Sequence, residues 1–108
     1  MEEIMERIRS EVTTHPVIIY MKGTPEAPQC GFSMRAVQAL RECGAPFAHV
    51  DVLGSPDHRT NLPRFSHWPT FPQIFIQGEL VGGCDIALDL HAKGELKKMV
   101  QEATAKAA

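Results

Sequence analysis

Five consecutive apolar residues, Val17 to Met21 (VIIYM), constrain this chain more than any other feature. Val17, Ile18 and Ile19 are β-branched, and such stiff side chains favour extended backbone. No polar residue alternates within the run, so a strand built from it has no face to offer water. It must be covered on both sides. It is also the longest apolar run in the chain, far short of the roughly 20 residues that a membrane-spanning helix needs. The cover must come from a chain of 108 residues, a length that suits one domain (1–108) with one core.

The flanking segments can supply that cover. Over residues 1–14, Ile4, Met5, Ile8 and Val12 recur at three- and four-residue steps, which predicts a helix with one apolar stripe, ended by Pro16. Residues 22–29 (KGTPEAPQ), with two prolines and a glycine, read as a loop. A second helix is expected over 30–43, with Met34, Val37, Leu40 and Cys43 facing inward and Gly44 as its C′ residue. FAHVDV (47–52) alternates as a strand. Residues 55–65 begin with Ser55 as an N-cap and Pro56 at the first helical position, while Pro63 limits how far that helix runs regularly. WPTFP (68–72) excludes a helix. QIFI, QGE and LVGG (73–83) read as strand, turn and strand. Asp85 is expected to cap a helix reaching about Lys93, and Gly94 separates it from a last helix over 95–105.

The predicted order is α-β-α-β-α-β-β-α-α. Two strands joined by a helix run parallel by the right-handed crossover rule, and the hairpin adds two antiparallel strands. The expectation is an α/β fold, a four-stranded mixed sheet with helices on both faces. Cys30 then stands at the carboxyl end of the first strand and at a helix N-terminus, where open α/β sheets place ligands.

Composition narrows the function. A net charge of −2 with neutral histidines gives no broad attraction to nucleic acid or to an anionic membrane. The first ten residues, MEEIMERIRS, are charged and amphipathic rather than a signal-peptide core, so a reducing cytoplasm is the expected setting. The three cysteines, Cys30, Cys43 and Cys84, are an odd number, which argues against a disulfide framework. No Cys or His pair has zinc-finger spacing.

Cys30 is the candidate reactive group. Unpaired N–H groups and the partial positive charge of a helix start favour a thiolate, and Lys22 adds a second positive charge. Gly31 leaves the sulfur uncrowded. Three residues on, where a Cys-x-x-Cys helix carries its second thiol, this chain has Ser33. Ser33 cannot resolve a mixed disulfide at Cys30, so a resolving thiol must come from elsewhere in the chain or from solution. Glutathione is the abundant cytosolic one. Pro72, just ahead of a strand, is open to the cis form, which would turn the Phe71 carbonyl and N–H toward a peptide-like ligand. Only about 5–6% of X–Pro bonds are cis, and the sequence leaves both isomers open. Asp85 can hold an ammonium group, and Arg59 can hold a carboxylate.

Four segments together resemble the monothiol glutaredoxins of the CGFS class, in their short bacterial form: YMKGTPEAPQCGFS (20–33), QALRECG (38–44), the region of Arg59, and WPTFPQIFIQGELVGGCDI (68–86). They span nearly the whole chain up to about Met99. The resemblance implies a thioredoxin fold with a cis peptide before Pro72. It also implies a glutathione site: Lys22 and Arg59 on the glycine carboxylate, Phe71 on the central peptide, and Cys84 with Asp85 on the γ-glutamyl end. Thr70, Pro72 and Trp68 would shape the pocket. It further implies a [2Fe–2S] cluster held in a homodimer by Cys30 of each subunit and two glutathione thiols, which satisfies the four thiolates such a cluster takes. Iron–sulfur acceptor proteins and a BolA-family protein are the implied partners. Glutathione-dependent reduction of mixed disulfides is the alternative activity.

Overall fold

The computed structural model describes residues 2–107. The Val17–Met21 run forms strand β1, and all five of its side chains are buried. It lies inside a four-stranded sheet of order β2-β1-β3-β4, in which β2 is Ala48–Asp51, β3 is Gln73–Ile76 and β4 is Glu79–Gly82. β1 runs parallel to β2, with Ile19 opposite His49, and antiparallel to β3, with Ile19 opposite Ile74. The β3–β4 hairpin turns through Gln77 (φ 53°) and Gly78 (φ 81°), both left-handed, the geometry of the tight turns that match strand twist. β4 therefore begins at Glu79, inside the segment expected to be turn, and ends at Gly82.

Among the described residues, five helices cover the sheet: α1 Glu2–Thr14, α2 Gly31–Glu42, α3 Pro56–Ser66, α4 Cys84–Ala92 and α5 Glu95–Ala107. Met1, at the start of the expected first helix, lies outside the described residues. Alternate residues of β1 feed two cores, as the two-residue period of a strand requires. Val17, Ile19 and Met21 pack with Val37, Leu40, Leu96 and Val100 on one side. Ile18 and Tyr20 pack with Ile4, Ile8, Val12 and Leu62 on the other. Truncating a side chain such as Ile19 to alanine would cost about 2–5 kcal/mol.

Several local expectations need correction. Met34 is exposed rather than inward. The buried stripe of α2 runs through Ser33, Ala36, Val37 and Leu40, and Met34 stands about 100° round the helix from Ser33. Met5 is only half-buried, at the margin of the α1 stripe. Pro63 sits in the last turn of α3, and the helix runs past it to Ser66 before His67 turns left-handed. Asp85 is not the N-cap of α4. Gly83 is, with extended backbone, and Asp85 lies in the first turn. Ser55 does precede α3, but its hydroxyl bonds His58 Nδ1 at 2.7 Å instead of a backbone N–H.

A buried polar cluster ties α1 and α3 to β1. Tyr20 donates its hydroxyl to Glu11 Oε1 at 2.8 Å, and His58 Nε2 lies 2.9 Å from the same oxygen. The Tyr20 and His58 rings stack with centroids 5.9 Å apart. The cluster anchors the α3 turn that carries Arg59 to the centre of the sheet.

Candidate functional site

A cleft of about 860 Å³ opens at the carboxyl end of β1, and its walls come from four separate stretches of chain. Every residue expected in the thiol and glutathione site lines it: Lys22 and Cys30 from the loop after β1, Arg59 from α3, Thr70, Phe71 and Pro72 from the loop before β3, and Cys84 and Asp85 from the start of α4. Trp68 lines it as well. The Phe71–Pro72 peptide bond is cis.

Cys30 is the N-cap of α2, with extended backbone at φ −153°, ψ 136°. Its side chain makes no capping hydrogen bond, but its surroundings favour negative charge on the sulfur and hold the thiol below its ordinary pKa. The Ser33 N–H is the largest cause. Partial desolvation opposes it, and the Phe32 N–H, the Lys22 charge and the Ser33 hydroxyl add to it. Ser33 is fully buried, and its hydroxyl accepts the Lys22 N–H at 3.2 Å. The residue in place of a second thiol thus joins the end of β1 to the helix tip and helps ionise the first.

The other two cysteines differ. Cys43, the C-cap of α2, is fully buried and donates to Ala39 O at 3.3 Å. Burial pushes its thiol up. Cys84 is buried at the first position of α4, in the cleft wall. All three are free thiols.

The loop before β3 is braced by a side chain that the sequence reading passed over. Gln73, buried on β3, donates its amide to Trp68 O at 2.8 Å and to Thr70 O at 3.1 Å. The available signal was a polar residue opening an otherwise apolar strand. Gly83 meets this loop closely, since a Cβ on it would lie 3.2 Å from Pro72 O and 3.3 Å from Trp68 Nε1. Two exposed apolar side chains, Phe32 and Ile86, flank the mouth. Among the described residues, no cluster of three or more His, Cys, Asp or Glu could hold a metal ion, and no helix is long and apolar enough to cross a membrane.

The cleft gathers one thiol whose surroundings favour ionisation, two cations, a carboxylate and a loop with a cis peptide bond. Comparison with known proteins decides the family: the glutaredoxin family model matches residues 17–81. The chain belongs to the glutaredoxin family. Glutaredoxin 4 of Buchnera aphidicola subsp. Baizongia pistaciae is 53% identical over 100 residues, 93% of each chain. Glutaredoxin 4 of Escherichia coli K12 is 49% identical over 106 residues, 98% of this chain and 92% of the other. Among solved structures, that of reduced poplar apo GrxS14 superposes with a TM-score of 0.79 at 44% identity, covering 93% of this chain and 92% of that one. The sheet order and flanking helices are accordingly those of a thioredoxin-type glutaredoxin fold.

Proposed function

We propose that this glutaredoxin is a monothiol member of the CGFS class that binds glutathione and carries a [2Fe–2S] cluster between two subunits for delivery to acceptor proteins. One observation carries the reading: a single activated thiol, Cys30, opens into a cleft where the place of a second thiol is taken by the buried Ser33. A [2Fe–2S] cluster takes four thiolates. One chain offers one at the helix tip, and the described residues hold no cluster of ligands that could complete the set. Two chains and two glutathiones can. Lys22 and Arg59 suit the glycine carboxylate of glutathione, Phe71 its central peptide, and Asp85 beside Cys84 its γ-glutamyl ammonium. Thr70 and Pro72 shape the pocket floor. The cluster is cargo in this reading. The protein's part is to hold glutathione, keep the Cys30 sulfur ionised and present it at an open surface. A BolA-family protein and iron–sulfur acceptors are the proposed partners, and the cytoplasm is the proposed location.

The lowered pKa of Cys30 also favours a second reading, reduction of glutathionylated thiols. The Cys30 thiolate would attack the glutathione sulfur of a protein–glutathione disulfide, forming a Cys30–glutathione disulfide and expelling the protein thiolate. A second glutathione thiolate would then release oxidised glutathione and regenerate Cys30. The test is iron per chain against glutathione concentration during reconstitution with iron and sulfide, alongside size-exclusion mass. One cluster per two chains, formed only with glutathione and lost in Cys30→Ser, is expected. A full cluster in a glutathione-free monomer refutes the carrier, and turnover by colourless monomer alone favours the reductase.

A further inference from the structure

The loop that carries Lys22 is gripped by a side chain outside the cleft. Asp51 is the last residue of β2, paired in register with Met21. Its Oδ1 accepts the N–H of Gly23 at 2.9 Å and the N–H of Leu53 at 2.9 Å. Gly23 has φ 92°, and a Cβ built on it would lie 2.6 Å from Ala27 O and 2.7 Å from Gln29 N. The chain folds back over this glycine toward Cys30. The Gln29 N–H donates to Lys22 O at 2.9 Å, and the Lys22 N–H donates to Ser33 Oγ at 3.2 Å. Lys22 is therefore held at its nitrogen, at its oxygen and at the next N–H along the chain. The first two partners belong to the same 22–33 stretch. Asp51 alone among the three comes from the β2 side, 28 residues from Gly23.

We propose that Asp51 is a positioning residue of the cleft: by gripping the Gly23 and Leu53 N–H groups, it fixes the 22–29 loop so that the Lys22 ammonium faces the Cys30 sulfur. Through Lys22 the grip also bears on glutathione capture, and it is readable on the protein alone, with no ligand or cluster present. Lys22 and Cys30 line the same cleft, so the Lys22 charge acts on any anion that approaches the sulfur. A carboxylate close to that loop also has a direct effect of its own, which disfavours anions near the sulfur. The two roles have opposite signs, which makes them separable.

The measurement is the rate of Cys30 alkylation by iodoacetate divided by that by iodoacetamide, with the modified residue identified by mass spectrometry. Both reagents attack the same thiolate, so the ratio cancels the ionised fraction and reports positive potential at the sulfur. Asp51→Ala should lower the ratio about two- to fivefold, the effect of moving one solvated unit charge away from a reaction centre by several ångströms. Lys22→Ala should lower it similarly, and the double variant no further, because both act through one ammonium group. Asp51→Asn keeps the Oδ1 acceptor without the charge and should hold the ratio at or above the unmodified protein's. If Asp51 were merely stabilising, its replacement by alanine would lower thermal stability and leave the ratio unchanged or raised. Should Asp51→Ala fail to fold, Asp51→Ser, too short to grip both N–H groups, replaces it. An unchanged or raised ratio in Asp51→Ala or its serine substitute, an equal fall in Asp51→Asn, or an additive fall in the double variant overturns the assignment.

Discussion

Glu11→Ala should destabilise this protein far more than a substitution on a half-exposed helix position ordinarily does. The Glu11 carboxylate receives the Tyr20 hydroxyl at 2.8 Å and faces His58 Nε2 at 2.9 Å and 3.1 Å. Tyr20 is fully buried and His58 nearly so. Removing the carboxylate leaves two buried polar groups without a partner, and each such loss costs about 1–3 kcal/mol. The Glu11 side chain is 20% exposed, so water can enter part of the space it vacates. That places the net loss near the lower half of the sum, roughly 2–4 kcal/mol. For a chain of this size it corresponds to a fall in Tm of roughly 10–20 °C. Glu11→Gln keeps an acceptor for Tyr20 and should lose about half as much. Tyr20→Phe removes one of the two groups in need of a partner, so Glu11→Ala should cost less in that background than alone. Urea denaturation of the unmodified protein, the three single variants and the Tyr20→Phe/Glu11→Ala double variant, followed by circular dichroism, measures all of this. A Glu11→Ala midpoint within about 0.5 kcal/mol of the unmodified protein would refute the reasoning.

Further outcomes can be checked independently. Burial first, and then Glu11, raise the Tyr20 pKa above its ordinary value; stability from this group is full below pH about 10 and lost as pH rises beyond it, and Tyr20→Phe should flatten that alkaline decline. Cys30 should alkylate with a midpoint below that of a model thiol, and Lys22→Ala should raise it by less than the Ser33 N–H supplies; identical midpoints for Cys30 and the model thiol would contradict the site. Because this pKa is depressed on folding, its contribution to stability is full above the unfolded thiol's value and fades as pH falls through the folded one. Arg59→Ala and Asp85→Ala should each weaken glutathione binding by about 1.5–3 kcal/mol in calorimetry, and unchanged affinity in both would remove them from the pocket. Gly23→Ala should destabilise more than Gly83→Ala, since Gly23, unlike Gly83, combines a positive φ with a contact under 3 Å; equal unfolding midpoints would disprove the ranking.

How much could be read beforehand varies with the range of the cause. β1 was legible to the residue because an unbroken apolar run has only one use in so short a segment. The residues gathered in the cleft were legible through their motifs, and the fold brings all of them together. Local detail was less so. Asp85 reads as a cap by residue type, yet Gly83 takes the extended cap position one residue ahead of the helix. Spacing alone turns Met34 inward, whereas Ser33 occupies the inward place beside it. Base rates alone leave the Phe71–Pro72 isomer open, and the family resemblance supplies the cis form that the structure shows. The Asp51 grip on Gly23 and the Gln73 brace join backbone to side chains that no periodicity marks. Long-range hydrogen bonds leave little trace in a linear pattern.

Cys43 has a use that its silence in the chemistry conceals. Its sulfur sits at the end of α2, while its carbonyl accepts the Gln101 side-chain amide of α5 at 3.4 Å. Cys43 is fully buried in the core it shares with Leu40 of α2 and Leu96 and Val100 of α5, so a labelling reagent reaches it only when that core opens. The native chain therefore contains a built-in stopwatch. Fast modification at Cys30 reports the surface, and slow modification at Cys43 counts openings of the α2–α5 face. Run at several urea concentrations, the slow phase reads the free energy of that opening without any added probe. It would show whether the wall behind the reactive sulfur opens by itself or only when the whole sheet comes apart.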